Sequence, residues 1–600
     1  MSKYVRREVR DLLDADRIRV LDAMQTLYHT SQEEGEKQYG SGFKNIAYFM
    51  EKHLRGAGAR ECDHWHDDAG VVTHHVAFTL EFEQALQVVD TTVSMPYWDV
   101  TRDSMRQKID GLLWRESSIF QDEWFGRSAG EDLEYAGGGN GDDLDETSTH
   151  VIKTGRWAYT ATPRVNADNK ETNGFVRNAY GLLRSPWNTN PTPYLTRSGT
   201  VSGVQSWSEL PSCAEYEECF YSESLAEMHS CLNGATHGPV HIMLGGIWNK
   251  KMSSYVTERP QAYLTLLMSK NLWRQGYVQC PESCSADSAV SDCQCSCPVA
   301  ATGDQTSLEV LEESGVLQDV AGVMTTLHYD SVTGDVTVDG VDSSDSISLA
   351  GVFDDVLHGQ LCSPGHVGDM YTSASPFDPT FWLIHGSMDR LLQWRRIQAA
   401  SGNLPFDEKW GYTHGAGEQR TPSETGLVCD WSAVDAGSAE RPSCTKDVCP
   451  GHAFSDALPF SSFVAASSSS SSSSANTAAA TIATTTASSS ESAMLSAEGY
   501  PSEYTNAQFY EFMSPFNEKL PYMYANFQWT HCDKASVSSA MTSVSELLGS
   551  KKNLNTKFVG GLGTGVRARK VRTTGSGFGS DSFEELNKQG ATKKWGKTRR

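Results

Sequence analysis

The sequence predicts a mainly α-helical domain with long irregular loops and a few short strands, and three observations predict it. Apolar residues recur at helical spacing over residues 4–29 and 43–56. Chemistry-bearing residues recur four apart, as His237 and His241 do, and as Phe381, His385 and Asp389 do. Strand-like Thr/Val alternation with Gly turns is confined to Leu327–Leu349, which reads as one hairpin.

The elements follow in chain order. The opening Met1–Arg10 is charged and helix-like, unlike a secretory leader, and the helical pattern continues to residue 29. A second helix over 43–56 places Phe49 and His53 one turn apart. Residues 137–147 are a Gly/Asp loop. Five cysteines, Cys280, Cys284, Cys293, Cys295 and Cys297, cluster in a Ser/Asp-rich loop that lacks paired C-x-x-C spacing. A disulfide knob is favoured there over a zinc or copper-delivery knot. The aspartates that follow lack EF-hand spacing, so a solvated acidic loop is favoured over a calcium site. Beyond Cys429, Cys444 and Cys449, a Ser/Ala/Thr tract over about 465–497 is too poor in apolar residues to order itself. Aromatic residues return between Tyr504 and Trp529 and include Tyr522-Met523-Tyr524. From residue 551 on, thirteen Lys/Arg stand against three Asp/Glu, so 533–600 reads as a disordered basic tail able to bind anionic surfaces or the acidic body.

Chemistry concentrates in two stretches, His237-Gly238-Pro239-Val240-His241 and Ser375–Arg390. Histidines at i and i+4 share a helix face, so both imidazoles reach one metal ion, and His385 on another helix completes a set of three. Asp389 follows His385 by four residues, where a carboxylate can accept the free ring N–H of a ligand and set its tautomer.

The run Phe381–His385–Asp389, preceded by Asp378-Pro379 and by His237-x-x-x-His241 with Gly245-Gly246, resembles the copper B signature of the tyrosinase, catechol oxidase and haemocyanin family. Upstream, Val71–Leu86 followed by Pro96-Tyr97-Trp98-Asp99 is similar to the family's last copper A helix, over 75–90. The resemblance implies a four-helix bundle holding two copper ions on His53, His66, His75, His237, His241 and His385. His64 competes with His66 for the middle place in the first set, and His74 and His29 are left over. The resemblance also implies that Cys62 forms either a thioether to a nearby histidine or, preferably, a plain disulfide. It implies O2 and a small phenolic substrate as partners, and the products are ortho-quinones.

Three departures refine this. His74-His75-Val76 stands where the family commonly has Trp-His-Arg. Gly238 follows His237 where an Asn would help hold a proton-accepting water, and Glu223 and Glu227 are the candidates for the accompanying carboxylate. The resemblance therefore implies a polyphenol oxidase acting on ortho-diphenols more than as a monophenol monooxygenase. The alternatives are haemocyanin-like reversible O2 binding and a degenerate metal-binding relative. Between His241 and His385 lie 143 residues, far more than the family uses, which marks about 250–365 as an insertion. The marker Tyr522-Met523-Tyr524 resembles the close of the family's central domain, so the copper domain is expected to span 1–532.

With 600 residues, 38% of them hydrophobic, the chain can bury a large core, and no apolar run is long enough to span a membrane. Fourteen cysteines point to an oxidising compartment, the exterior or an endomembrane lumen. The charged start conflicts with that, which is resolved if Met1 is not the natural start. The oligomeric state is not written in the sequence.

Overall fold

The computed structural model describes residues 3–66, 70–127, 150–165, 176–199, 201, 210–248, 264–285, 287–298, 305–324, 326–330, 332–341, 346–410, 427–447, 449–458, 504–529 and 531–532. The Gly/Asp loop 137–147, the Ser/Ala/Thr tract and the basic tail lie outside the described residues.

The fold is mainly α-helical. Its centre is the Gly70–Val89 helix, buried along most of its length, with its two buried carboxylates Glu81 and Glu83 paired to Lys52 and Arg6. It packs against the Phe381–Ala400 and Asp14–His29 helices. Phe82 and Trp382 stack with ring centroids 3.6 Å apart, and Phe49 from the Ile46–Ala57 helix meets both rings edge-on. The Ile46–Ala57 helix starts where the Asn45 side chain accepts the Tyr48 N–H.

The helical expectation over 4–29 holds only from Asp14 onward. Tyr4–Arg6 is instead a strand, pairing in parallel with Tyr522–Tyr524. Its alternation of Tyr, Val and Arg suits a strand that sends Arg6 inward, and only a partner strand from the far end of the chain reveals it. The aromatic segment after residue 504 thereby joins the main core, where Phe509, Tyr522, Tyr524 and Trp529 are buried.

The stretch between His241 and His385 builds a second hydrophobic cluster from helices Leu264–Arg274, Ser307–Glu313, Val316–Val323 and Ser346–Val356. The expected hairpin pairs Leu327–Tyr329 with Val336–Val338, but the chain turns helical at Ser346 because Val352, Phe353 and Val356 bury one helical face. The cysteine loop is a disulfide knob, with bridges Cys280–Cys295 and Cys284–Cys293, and Cys297–Cys362 ties it to the end of this region. All fourteen cysteines are paired.

Candidate metal centre

Six histidines converge in two trios, His53 with His66 and His75, and His237 with His241 and His385, each with one ring nitrogen per residue inside a 4.8 Å sphere of mutual distance. In the first trio the ring centroids lie 5.4 Å (His53–His66), 5.6 Å (His53–His75) and 4.9 Å (His66–His75) apart. The second trio spans 4.9 Å (His237–His241), 5.1 Å (His237–His385) and 5.6 Å (His241–His385). The trios meet where His75 stacks on His385 at 4.4 Å.

Each ring is aimed by a bond at its Nδ1. His53 Nδ1 meets Ser373 O at 2.7 Å and His241 Nδ1 meets Met370 O at 2.8 Å. His75 and His385 bond back to the carbonyls one turn earlier, Val71 O at 2.6 Å and Phe381 O at 2.8 Å. His237 Nδ1 meets Leu232 O at 3.3 Å, and His66 Nδ1 meets the Asp63 carboxylate at 3.0 Å. Donation from Nδ1 leaves the Nε2 lone pair as the ligand. The Nε2 atoms of His53, His75 and His385 are buried and have no hydrogen-bond partner among the described residues, which is costly unless an ion takes them up. Burial, reinforced by neighbouring imidazoles, holds His53, His75, His237 and His385 well below the usual imidazole range. Burial takes His241 down to about 4. Neutral imidazoles are the form that binds a transition metal, so this donor set fits two such ions.

Aromatic rings wall the trios. Phe381 sits 4.2 Å from His385 and 5.4 Å from His53, and Trp65 meets His53 and His75 edge-on. Trp65 can lie this close because Gly56 has no Cβ; one would fall 2.3 Å from its indole nitrogen. The sequence reading missed Trp65, which adds an aromatic wall beside the position where the family's Trp-His-Arg is absent. Its signal was its place directly before His66.

His64 is held elsewhere. Both of its ring nitrogens are taken, by Glu61 at 2.9 Å and by Pro450 O at 2.8 Å, while His66 faces the trio. His74 bonds Trp65 O and lies against His452, and His29 bonds Thr160. Cys62 forms a disulfide with Cys449 rather than a thioether.

Three sequence expectations are corrected. Asp389 accepts from no histidine among the described residues. Its carboxylate receives the hydroxyls of Tyr522 and Tyr524, both at 2.7 Å, with Gln393 at 3.1 Å and the Arg6 guanidinium at 3.4 Å. The His385 Nδ1 is engaged by Phe381 O at 2.8 Å instead. Arg6 also pairs with Glu83 at 2.6 Å and stacks on Tyr522, making a buried knot across three distant segments. Glu227 in the first turn of the Leu225–Cys231 helix receives the Glu223 backbone N–H at 3.0 Å, and both Glu223 and Glu227 are exposed, outside the buried ring cluster.

Gly238 has a backbone task. The chain over Leu232–His237 makes a π-helical turn, in which the Gly238 N–H bonds Asn233 O. A Cβ at 238 would fall 2.6 Å from that carbonyl oxygen. Such single π-turns often mark functional sites, and this one rotates His237 toward His241 and His385. Asn233 itself reaches across to His66 O at 3.3 Å, linking the second trio's turn to the first trio's loop.

No helix among the described residues is long and apolar enough to cross a membrane. Residues 26–257 match the family model described as the common central domain of tyrosinase. No curated protein matches the chain. Among solved structures, tyrosinase from Burkholderia thailandensis at high pH is 14% identical with a TM-score of 0.26, over 70% of this chain and 71% of that one. The same enzyme at low pH is 14% identical with a TM-score of 0.25, over 68% and 64%. The family match contains five of the six histidines and stops before His385, which the fold returns to its partners. Over that segment the chain is similar to the common central domain of tyrosinase.

Proposed function

We propose that each histidine trio binds one copper ion and that the pair oxidises phenols, foremost ortho-diphenols, to ortho-quinones with O2. The observation that carries this reading is the abutment of the two trios at His75 and His385 with their Nε2 atoms buried and unpartnered. Three neutral nitrogens per ion suit copper in both oxidation states, and a bound pair would relay the two electrons that each catechol gives up, two catechols reducing one O2 to two waters. The protein's share is to fix six rings in one tautomer, to wall them with Phe381 and Trp65, and to leave His66 and His241 as the less buried edge for substrate.

The preference for diphenols rests on Gly238 and Glu227. Position 238 carries no amide, and Glu227 is engaged at the surface, so an incoming monophenol finds neither group to help remove its proton. A catechol loses its protons more readily. The domain is read as extending to residue 532, supported by the pairing of Tyr4–Arg6 with Tyr522–Tyr524. An oxidising location, secreted or lumenal, is supported by seven disulfides that leave no free thiol.

The test is copper content together with O2 consumption on a catechol and on its matching monophenol. Two coppers per chain and faster catechol turnover are expected. Copper-loaded protein that turns over neither phenol would remove the oxidase reading.

A further inference from the structure

His66 differs from its two partners in the first trio. His53 and His75 ride on helices, whereas His66 lies in the loop between them and needs fixing from outside. Asp63 provides it. One carboxylate oxygen receives His66 Nδ1 at 3.0 Å and the backbone N–H groups of Trp65 at 3.0 Å and His66 at 3.1 Å. The other oxygen faces the Leu264–Arg274 helix, with Lys270 Nζ at 3.0 Å and the Arg274 guanidinium at 3.9 Å.

That helix belongs to the long region between His241 and His385, which otherwise has its own core and disulfides. Arg274 also donates to Ala57 O at 3.1 Å and to Ala59 O at 2.9 Å, at the end of the helix that carries His53. One face of one helix therefore grips both the carboxylate behind His66 and the chain just past His53. Lys270 is mostly buried and Asp63 buried, so solvent screens this ion pair less than it would a surface pair.

We infer that Lys270 is a positioning residue for the first metal trio: it pins Asp63 so that the carboxylate holds His66 in the tautomer and orientation that present Nε2 to the ion. The extra region between the trios is thus part of the centre's scaffold as well as a lobe of its own. The inference rests on the proposed role of His66 as a copper ligand. Groups that orient metal-bound histidines typically change metal affinity ~10–100-fold.

The experiment uses the full chain loaded with Cu(II) and measures copper retained per chain against a graded chelator, for wild type, Lys270→Met and Lys270→Arg, with thermal unfolding of the metal-free forms alongside. Wild type is expected to keep two coppers. Lys270→Met is expected to surrender one of them at about tenfold lower chelator, leaving a lone paramagnetic Cu(II) visible by electron spin resonance, and Lys270→Arg is expected to restore retention. Identical retention in wild type and Lys270→Met overturns the inference while leaving the copper reading intact. A metal-free Lys270→Met that unfolds well below wild type, with no recovery in Lys270→Arg, marks a purely structural residue and also overturns it. A wild type that holds no copper removes the copper reading, and this inference falls with it.

Discussion

His75 and His385 stack with ring planes 3° apart and centroids 4.4 Å apart, although 310 residues separate them in the chain. Each ring nevertheless groups with its own trio, His75 with His53 and His66 and His385 with His237 and His241. We expect His385→Ala to lower bound copper from two ions per chain to one and to abolish catechol oxidation, read by metal analysis and O2 uptake. His64→Ala, whose nitrogens are committed to Glu61 and Pro450, should keep both coppers; loss of copper there would exchange His64 for His66 in the first trio.

The buried knot around Asp389 predicts a folding phenotype. Asp389→Ala leaves Arg6 paired with Glu83 alone and takes the acceptor from two buried tyrosine hydroxyls at once, which should cost about 2–6 kcal/mol at ~1–3 kcal/mol for each unmet group. Tyr524→Phe should cost only about 1–3 kcal/mol, the penalty for an unmet buried hydrogen bond. Denaturant unfolding of the metal-free proteins reads both. Full stability in Asp389→Ala with a selective loss of copper would return Asp389 to the metal centre.

Gly238→Asn should not create a monophenol hydroxylase. Its Cβ meets Asn233 O, a backbone atom that cannot step aside without undoing the π-turn that aims His237. Forcing in the side chain should cost about 1–3 kcal/mol and weaken copper at the second trio. Wild-type stability accompanied by new monophenol activity would contradict this account of the turn.

The Cys62–Cys449 bridge predicts a chemical outcome. A thioether to histidine survives reduction, whereas a disulfide does not. Reduction under denaturing conditions should free Cys62 for alkylation, seen by mass spectrometry of the peptide that contains His64 and His66. Removing the bridge by Cys449→Ser should cost about 2–5 kcal/mol, since it closes a loop of 387 residues.

Two histidines outside the centre contribute to a pH dependence. His150 stacks on Trp248 at 4.1 Å and His366 faces the same indole, and burial takes both imidazoles down to about 4. A base whose folded-state value is depressed leaves the unfolded chain binding more protons between about 4 and its ordinary value near 6.5. The stability held at neutral pH is therefore lost as pH falls through that window. The melting temperature of the metal-free protein should drop between pH 7 and pH 5, with the buried imidazoles of the two trios adding to the same drop, and His150→Phe should flatten it in part. A melting temperature that rises on acidification would contradict the assignment.

Local repetition made the histidines legible. His53 after Phe49, the His237–His241 pair and the Phe381–His385 step all express the helical period, which any folded context preserves. Cysteine parity and the absence of C-x-x-C spacing likewise pointed to bridges before any pairing was known. Asp389 shows the limit of such reading. Helical spacing put it on the face of His385, yet its partners are Arg6, Tyr522 and Tyr524, and sequence spacing says nothing about a parallel strand pair joining the two ends of the chain. Lys270 and Trp65 were equally silent, one in a region with no template and the other one residue from a recognised histidine.

The sequence by itself determined what short-range geometry controls: a mainly helical chain, a histidine pair at helical spacing in His237 and His241, and a disulfide knob. Tertiary structure alone decided which of His64 and His66 turns to the trio, which carbonyl or carboxylate aims each ring, and that a π-turn requires glycine at 238. The physical reason is range. Helical period and capping act over a few residues, whereas the orientation of a buried ring is set by whichever polar group packing brings within 3 Å, and that group can come from anywhere in the chain.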